Sequence, residues 1–213
     1  MNLYNQDCLP AMKEMPDNEF SLAIVDPPYG IDIVDQFKKT IKSESSMFNL
    51  SKGIKGSSEW DKNIPKKEYF DELLRVSKDQ IIWGGNYFIS YLKNTRCMCI
   101  WDKMNGTNPM ADAEIAWTSF DKSTRMFRMH HFSAGYGVKI HPTQKPVALY
   151  KWLLTNYAKP GQTILDTHLG SGSIAIACDV FGFDLTAFEI DGEYIEAATD
   201  RLIRHRTQGV LAL

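Results

Sequence analysis

The chain has 213 residues, of which 44% are hydrophobic and 23% charged, a size and composition that predict one globular domain, 1–213, with a sizeable core. The formal net charge of −2 excludes a uniformly basic nucleic-acid-binding protein, so any polyanion must meet a local basic patch. No early run is apolar enough for a signal peptide, and none approaches the roughly 20 residues that span a bilayer. These features predict a soluble cytoplasmic protein with no membrane partner.

Short apolar runs alternate along the chain with segments whose apolar residues recur at helical spacing. The runs predict strands at residues 3–4, 20–25, 80–83, 97–101, 114–117, 163–165 and 185–188. The helical spacing predicts helices at residues 67–76, 147–157, 173–181 and 193–204. This alternation is typical of a doubly wound α/β fold built around a mostly parallel sheet.

The strand predicted at residues 20–25 runs into the sequence LAIVDPPYG, residues 22–30. Its apolar residues do not alternate with polar ones, which indicates burial on both faces of a parallel sheet. Pro27 and Pro28 lack an N–H and restrict φ, so the chain after Asp26 is stiff. Open α/β sheets bind ligands at the carboxyl ends of their strands, so residues 26–29 are a candidate site. The alternative is a strand that ends at prolines and has no functional role, because it would have the same composition.

Two segments interrupt the alternation and are more basic than the rest of the chain. Residues 30–67 carry eight lysines against five acidic residues, and Ser and Gly replace any apolar period, which predicts a long mobile basic loop at residues 30–66. Residues 121–151 carry six Lys or Arg against one acidic residue, interleaved with histidines and aromatic residues. This mixture suits a polyanion whose bases can be stacked, although a solvated surface is charged as well.

The four cysteines do not form a metal-binding pattern. Cys97 and Cys99 have no second cysteine pair and no His ligands at zinc-site spacing, and Cys8 and Cys178 are isolated. Residues two apart on a strand share a face, so Cys97 and Cys99 are predicted to be small buried side chains. We therefore expect no metal site.

A second strand-terminal motif, TILDTHLGSGSIAIAC, occupies residues 163–178. Its strand ends at Asp166, and Gly170 and Gly172 then open a helix, so a ligand can approach the backbone and the free N–H groups attract negative charge. About twenty residues further on, the next strand ends in FEID, and its Glu189 is placed to accept hydrogen bonds from ribose hydroxyls. The spacing matches neither the dinucleotide pattern nor the P-loop, which favours a nucleoside cofactor without a pyrophosphate.

Together these motifs resemble those of the amino-methylating DNA methyltransferases, in the permuted order that places the catalytic motif before the cofactor motif. The resemblance covers nearly the whole chain and rests on NQDCLPAM, DPPY, IIWGGNYF, HPTQKP, DTHLGSG and FEID. It implies a seven-stranded Rossmann-like sheet, S-adenosylmethionine as the cofactor and double-stranded DNA as the partner, as in restriction–modification systems. It leaves open a monomer or a homodimer.

The resemblance also assigns roles to residues. In DPPY, Asp26 and the Pro27 carbonyl accept the amino hydrogens of the target base, Pro28 stiffens the turn, and Tyr29 stacks on a base that has left the helix. The implied cofactor-binding residues are Asp7, Cys8, Thr143, Lys145, Asp166, His168, Gly170, Gly172 and Glu189. Separately from the resemblance, the basic and aromatic residues of this part of the chain predict a small target-recognition insertion at residues 119–140, with the DNA-binding residues Arg125, Arg128, His130, His131 and Lys139.

Within the cofactor set, the resemblance places Asp7 and Cys8 at the adenine, and Thr143 and Lys145 at the methionine carboxylate. The family's cofactor turn usually has Pro and then a large apolar residue after the Asp, but this chain has Thr167 and His168. That departure puts the affinity or the orientation of the cofactor in question.

The residue before PPY bears on the target base. In this family Ser commonly stands there in enzymes that methylate N4 of cytosine and Asp in those that methylate N6 of adenine, so Asp26 favours a site-specific adenine-N6 methyltransferase. The alternatives are a cytosine-N4 DNA methyltransferase, an RNA adenine methyltransferase, and a catalytically silent protein of the same fold that binds DNA or cofactor.

Overall fold

The computed structural model describes residues 1–32, 61–106, 111–130 and 140–211, and these ranges form an α/β fold. Its strands are β1 (Asn2–Asn5), β2 (Phe20–Val25), β3 (Ser77–Trp83), β4 (Met98–Asp102), β5 (Ala113–Thr118), β6 (Arg125–Arg128), β7 (Thr163–Asp166) and β8 (Asp184–Glu189). Its α-helices are α1 (Cys8–Glu14), α2 (Lys67–Val76), α3 (Val147–Tyr157), α4 (Ser173–Phe181) and α5 (Gly192–Leu211). Most of the predicted basic loop, 30–66, lies outside the described residues and stays a prediction.

The strands of the described ranges form one sheet of eight, in the order β1-β8-β7-β2-β3-β5-β4-β6. Strand β5 runs antiparallel to its neighbours β3 and β4, and the other neighbouring pairs are parallel. The predicted doubly wound, mostly parallel α/β fold is confirmed, but the predicted count of seven strands is wrong. The additional strand is β6, whose sequence RMFR has no apolar run because two of its four residues are arginine.

Strand β2 lies between β7 and β3 and is buried on both faces, as its continuous apolar run predicts. Leu22 and Ile24 face a core shared with α3 and α4, whereas Ala23 and Val25 face a second core shared with α1 and α2. Burying one large apolar side chain completely contributes roughly 1.5–3 kcal/mol. The two cores therefore hold the carboxyl end of β2, where Asp26 follows, in a fixed position.

Helix α1 was not among the predicted helices. It has only seven residues, too few to show a helical period, and Pro10 lies in its first turn. Asp7 caps it, because Oδ1 accepts the Leu9 N–H at 2.9 Å. The four predicted helices are all present, and α5 extends beyond its predicted end to Leu211.

No helix in the described ranges combines the length and apolar character needed to cross a lipid bilayer. The same ranges contain no group of three or more His, Cys, Asp or Glu side chains arranged to hold a metal ion. Cys97 and Cys99 are fully buried, which confirms the prediction made for them.

Candidate active site

Both strand-terminal motifs lie at the same edge of the sheet. Strands β2 and β7 are parallel neighbours, with Ala23 paired to Leu165, so Asp26 and Asp166 stand side by side at the carboxyl edge. Strand β8 lies on the other side of β7 and brings Glu189 to this edge. The predicted adjacency of the two motif-bearing strands is confirmed.

The Asp26 carboxyl group is held by two donors. The Tyr29 hydroxyl donates to Oδ1 at 2.6 Å, and the Lys145 ammonium donates to Oδ2 at 2.5 Å. Burial raises the pKa of Asp26, and the Lys145 charge partly offsets that effect. Burial, and then the charge of Asp26, raise the pKa of Tyr29 well above its ordinary value, so the hydroxyl keeps its proton and remains a donor. The sequence predicts a role for the ring of Tyr29 only, and the hydroxyl contact is revealed by the structure.

The DPPY turn is also held through its backbone. The N–H groups of Tyr29 and Gly30 both donate to Oδ1 of Asp61, at 2.9 and 3.0 Å. The Asp61 side chain is buried, so these bonds are shielded from water. Asp61 was missed in the sequence because it lies at the far end of a segment predicted to be a loop.

Lys145 has a second carboxylate partner, Glu114 on β5. Its Nζ lies 2.9 Å from Glu114 Oε2, while Lys103 Nζ lies 2.6 Å from Glu114 Oε1. The Lys145 side chain is only 2% exposed, and its Nζ lies over the rings of Trp83 and Tyr29, at 5.2 and 5.8 Å from their centroids. The ammonium is thus enclosed by two carboxylates and two aromatic rings.

The charges of Lys145, Asp26, Glu114 and Lys103 determine one another's protonation states. Burial alone would lower the pKa of Lys145, but Asp26 and Glu114 outweigh burial and raise it. Burial alone would raise the pKa of Glu114, but Lys145 and Lys103 lower it to about 2. Lys145 and Glu114 therefore stay ionised through the neutral range.

The cofactor-carboxylate role given to Lys145 and Thr143 stays a prediction. The contacts of Lys145 described above are all on the DPPY side of the site, with Asp26, Tyr29 and Glu114. The Thr143 hydroxyl lies 3.1 Å from His141 Nδ1. The structure thus brings Lys145 to the predicted site but pairs it with a residue of the catalytic motif.

The Tyr29 ring is packed on more than one side. The ring of Tyr87 stacks on it with centroids 4.9 Å apart and planes 14° from parallel. Gly84 has a φ of +70°, and a Cβ built on it would lie 2.2 Å from Tyr29 Cε1, so only glycine fits there. Tyr87 is 42% exposed, and its ring covers part of the Tyr29 face that is predicted to stack on the target base.

The glycine turn after β7 requires glycine for two reasons, a left-handed backbone conformation and close packing against α5. Gly170 and Gly172 have φ of +50° and +69°, and a Cβ on Gly172 would lie 2.9 Å from the Cβ of Ala198 on α5. The Glu189 carboxyl group braces the turn, accepting the N–H groups of Gly170 and Asp191 at 2.8 and 3.0 Å.

Other predicted cofactor residues reach the same edge. Strand β1 pairs in parallel with β8, Asn5 opposite Glu189, so Asp7 and Cys8, which follow β1, lie next to the glycine turn. Burial raises the pKa of Cys8 to about 12, which keeps it a thiol. Burial raises the pKa of Asp166 to about 8.

These groups fit a nucleoside better than a nucleotide. Acidic side chains that can accept hydroxyl hydrogens surround the turn, and residues 163–173 contain no Lys or Arg that could bind a phosphate.

Thr167 and His168, where the chain departs from the family pattern, are built into the turn. The Tyr69 hydroxyl, on α2, lies 2.6 Å from Thr167 Oγ1, which lies 2.9 Å from His168 Nδ1. The Tyr69 and His168 rings meet edge to face, with centroids 5.5 Å apart. The His168 N–H donates to Asp166 Oδ1 at 3.1 Å. Burial lowers the pKa of His168 to about 4, so the imidazole is neutral at physiological pH.

The predicted DNA-binding residues lie on and after β6. Arg125 and Arg128 are exposed, and Arg128 lies 3.3 Å from Asp102. Strand β6 is parallel to β4, and β4 and β3 are both antiparallel to β5, so the carboxyl end of β6 points to the same edge as Asp26. Arg128 is therefore at the site's edge, and Arg125 is at the opposite end of the strand. His130 follows β6, while His131 and Lys139 lie outside the described residues.

Comparisons with known proteins agree with this arrangement. The N6_N4_Mtase family model, described as DNA methylase, matches residues 114–200. Over 92% of its length the chain is 24% identical to the type II methyltransferases M.HpaI of Haemophilus parainfluenzae and M.HinfI of Haemophilus influenzae, and it spans 72% and 66% of their lengths.

Solved structures share the fold. The crystal structure of an M1.HpyAVI–SAM complex matches with a TM-score of 0.63 and 19% identity, covering 94% of this chain and 98% of that one. PvuII DNA methyltransferase (cytosine-N4-specific) matches with a TM-score of 0.57 and 14% identity, covering 93% and 85%. The Rossmann-like methyltransferase fold follows from these likenesses.

Gly84→Ala tests the packing beneath Tyr29. Gly106 is a matched control, because its φ is also positive, +64°, but a Cβ there meets nothing within 4 Å. Both substitutions carry backbone strain of about 1 kcal/mol. We expect Gly84→Ala to lower the free energy of unfolding by about 1–3 kcal/mol more than Gly106→Ala in urea titrations, because the added methyl overpacks the site. Equal losses would contradict the packing.

His168→Phe tests the burial of the imidazole. The pKa of His168 is near 4 in the folded chain and near 6.5 in the unfolded chain. Between these pH values the unfolded chain binds more protons, so the contribution of His168 lowers the free energy of unfolding as the pH falls from about 6.5 to 4. We expect the variant to lose less stability than wild type between pH 6.5 and 4.5, by an amount on the order of 1 kcal/mol. His205→Phe, on α5, is the control. Parallel curves for wild type and His168→Phe would show that the imidazole is not buried.

Proposed function

With its resemblance to the N6/N4 amino-methylating DNA methyltransferases confirmed, we propose that the chain transfers a methyl group from S-adenosylmethionine to N6 of an adenine in double-stranded DNA. One observation carries the proposal: Asp26 and Asp166 follow neighbouring parallel strands at the same edge of the sheet. The DPPY turn, which would accept the amine, therefore lies beside the glycine turn, which would bind the nucleoside cofactor. A protein that only bound DNA would not need acceptors beside a cofactor pocket.

The cofactor side of the site uses buried acids and backbone. Glu189 accepts the ribose hydroxyls while it braces Gly170, and Asp7 and Cys8 lie at the adenine. The turn at residues 166–172 borders the methionine moiety. When bound, S-adenosylmethionine supplies an electrophilic methyl group on a positively charged sulfur.

The acceptor side must activate a poor nucleophile, because the adenine amino lone pair is delocalised into the ring. Asp26 and the Pro27 carbonyl are neighbouring acceptors, so they take the two amino hydrogens and turn the lone pair toward the methyl carbon. The lone pair forms the N–C bond as the C–S bond breaks and leaves its electrons on sulfur. Asp26 stabilises the positive charge that develops on nitrogen, and an amino proton is then released to water.

The choice of adenine is supported by Asp26, because the family resemblance links Asp in this position with adenine and Ser with cytosine. Cytosine-N4 methylation uses the same acceptor geometry on the same fold, so it is the alternative that the assay must separate.

Asp26→Asn tests the acceptor role. It removes the charge but keeps the shape, and we expect tritium transfer from labelled S-adenosylmethionine to DNA to fall about a hundredfold to a thousandfold. Calorimetric affinity for the cofactor should stay within a few-fold of wild type, because the glycine turn is untouched. Asp71→Asn, at an exposed ion pair on α2, is the control. Wild-type transfer by Asp26→Asn would sink the mechanism.

DNA contact is proposed for the insertion at residues 119–140, of which β6 is a described part. Arg128 stands at the catalytic edge and Arg125 at the far end of the same short strand. We expect Arg128→Ala to weaken DNA binding and to reduce the salt slope by about one, because one phosphate contact is lost. Arg125→Ala should have the smaller effect, and Arg204→Ala on α5 none.

The measurement is fluorescence anisotropy of a labelled duplex across a salt series. An Arg128 variant with an unchanged slope would remove β6 from the proposed DNA-binding surface.

A further inference from the structure

The target amine must compete with a lysine for its acceptor. Asp26 Oδ2 already receives the Lys145 ammonium at 2.5 Å, and Oδ1 receives the Tyr29 hydroxyl at 2.6 Å. Each oxygen can accept a second hydrogen bond, but the Lys145 ammonium is the charged donor at this carboxylate, so an incoming amino group competes with it for Oδ2. Tyr29 lies within the same turn and has little freedom, whereas Lys145 comes from a separate segment before α3. Lys145 is therefore the group that gives way.

Releasing Lys145 from Asp26 is costly unless the ammonium has another partner. Its side chain is 2% exposed, and an unpaired buried ion carries a penalty of several kcal/mol. Glu114 Oε2 already lies 2.9 Å from Nζ, so a small rotation transfers the ammonium fully to Glu114. Lys103 Nζ lies 2.6 Å from the other oxygen, Oε1, so a second cation partly offsets the charge of Glu114.

We propose that Glu114 is a positioning residue for methyl transfer: it retains Lys145 when the target amine takes Asp26. The inference rests on the proposed function and adds to it a residue that acts through Lys145. Trp83 and Tyr29, whose ring faces lie beside Nζ, keep the ammonium enclosed in either position. The charge of Lys145 thereby stays close enough to Asp26 to favour its ionised form throughout the reaction.

Glu114→Gln is the primary variant, because it keeps the size of the side chain and removes its charge. Lys145 then has Asp26 as its one carboxylate partner and holds it more tightly. We expect single-turnover methyl transfer at saturating cofactor and DNA to fall about tenfold to a hundredfold, the range that misplacement of a reacting group produces. Affinity for the cofactor, measured by calorimetry, should not change.

The pH profile tests whether the charge of Glu114 acts on Asp26 in the active protein. Among the described residues, the titratable groups that interact with Asp26 are Tyr29 in its own turn, Lys145 before α3, Glu114 on β5, Asp166 after β7 and Tyr69 on α2. The negative charge of Glu114 raises the pKa of Asp26, so Glu114→Gln should move the acid limb of the rate profile to lower pH.

Lys103→Met is the second variant and should act in the opposite direction. It removes the cation that offsets Glu114, so the acid limb should move to higher pH while the plateau rate stays near wild type. This variant leaves Asp26, Lys145 and Glu114 in place, and it keeps the inference testable even when Glu114→Gln folds poorly. We expect the acid limb to move in opposite directions in the two variants. Acid limbs that coincide with that of wild type in both variants would overturn the inference.

A readout of base entry completes the test. A duplex that wild type methylates, with 2-aminopurine at the target position, reports the base leaving the stack through its fluorescence. We expect a smaller fluorescence rise with Glu114→Gln than with wild type. Wild-type rate and fluorescence in that variant would overturn the inference while the proposed function stands. A wild-type chain that methylates no DNA would instead overturn the proposed function.

Discussion

The buried ammonium of Lys145 joins three parts of the chain that are distant in sequence. It contacts Asp26 after β2 and Glu114 on β5, and it comes from the loop before α3. An unpaired buried ion costs several kcal/mol, and the two carboxylates compensate the buried charge of Lys145. The DPPY turn, β5 and the start of α3 therefore share one arrangement. That arrangement positions the Asp26 carboxyl group and its neighbour Tyr29, the groups proposed to receive the target base.

On the cofactor side a buried carboxylate is again compensated, here by backbone N–H groups and not by a lysine. Glu189 is buried and accepts two backbone N–H groups, so the glycine turn is fixed without a ligand. Thr167 and His168, which depart from the family pattern, extend this bracing to Tyr69 on α2 through a chain of short hydrogen bonds. A neutral imidazole in a hydrogen-bonded slot can replace a large apolar side chain there, so the departure is compatible with a working cofactor site.

Much of this could be predicted from sequence because burial leaves a clear pattern. The runs that became β2 and β7 are apolar on both faces, and the acids that end them had to meet at one sheet edge. Strand β6 was missed because an exposed edge strand with two arginines has no such pattern. Glu114 was missed for another reason: an acid on a strand normally faces water, and only the three-dimensional structure shows that this one is partly buried against Lys145. Pair contacts of this kind leave no periodic signal in a single sequence.

We propose that Asp26 presents an adenine amine to the methyl group of S-adenosylmethionine. The most direct measurement is nucleoside mass spectrometry of duplex DNA incubated with the protein and S-adenosylmethionine that carries an isotopically labelled methyl group. We expect labelled N6-methyladenine and no labelled N4-methylcytosine. Label in N4-methylcytosine would contradict the choice of base, and DNA without label would contradict the proposed activity itself.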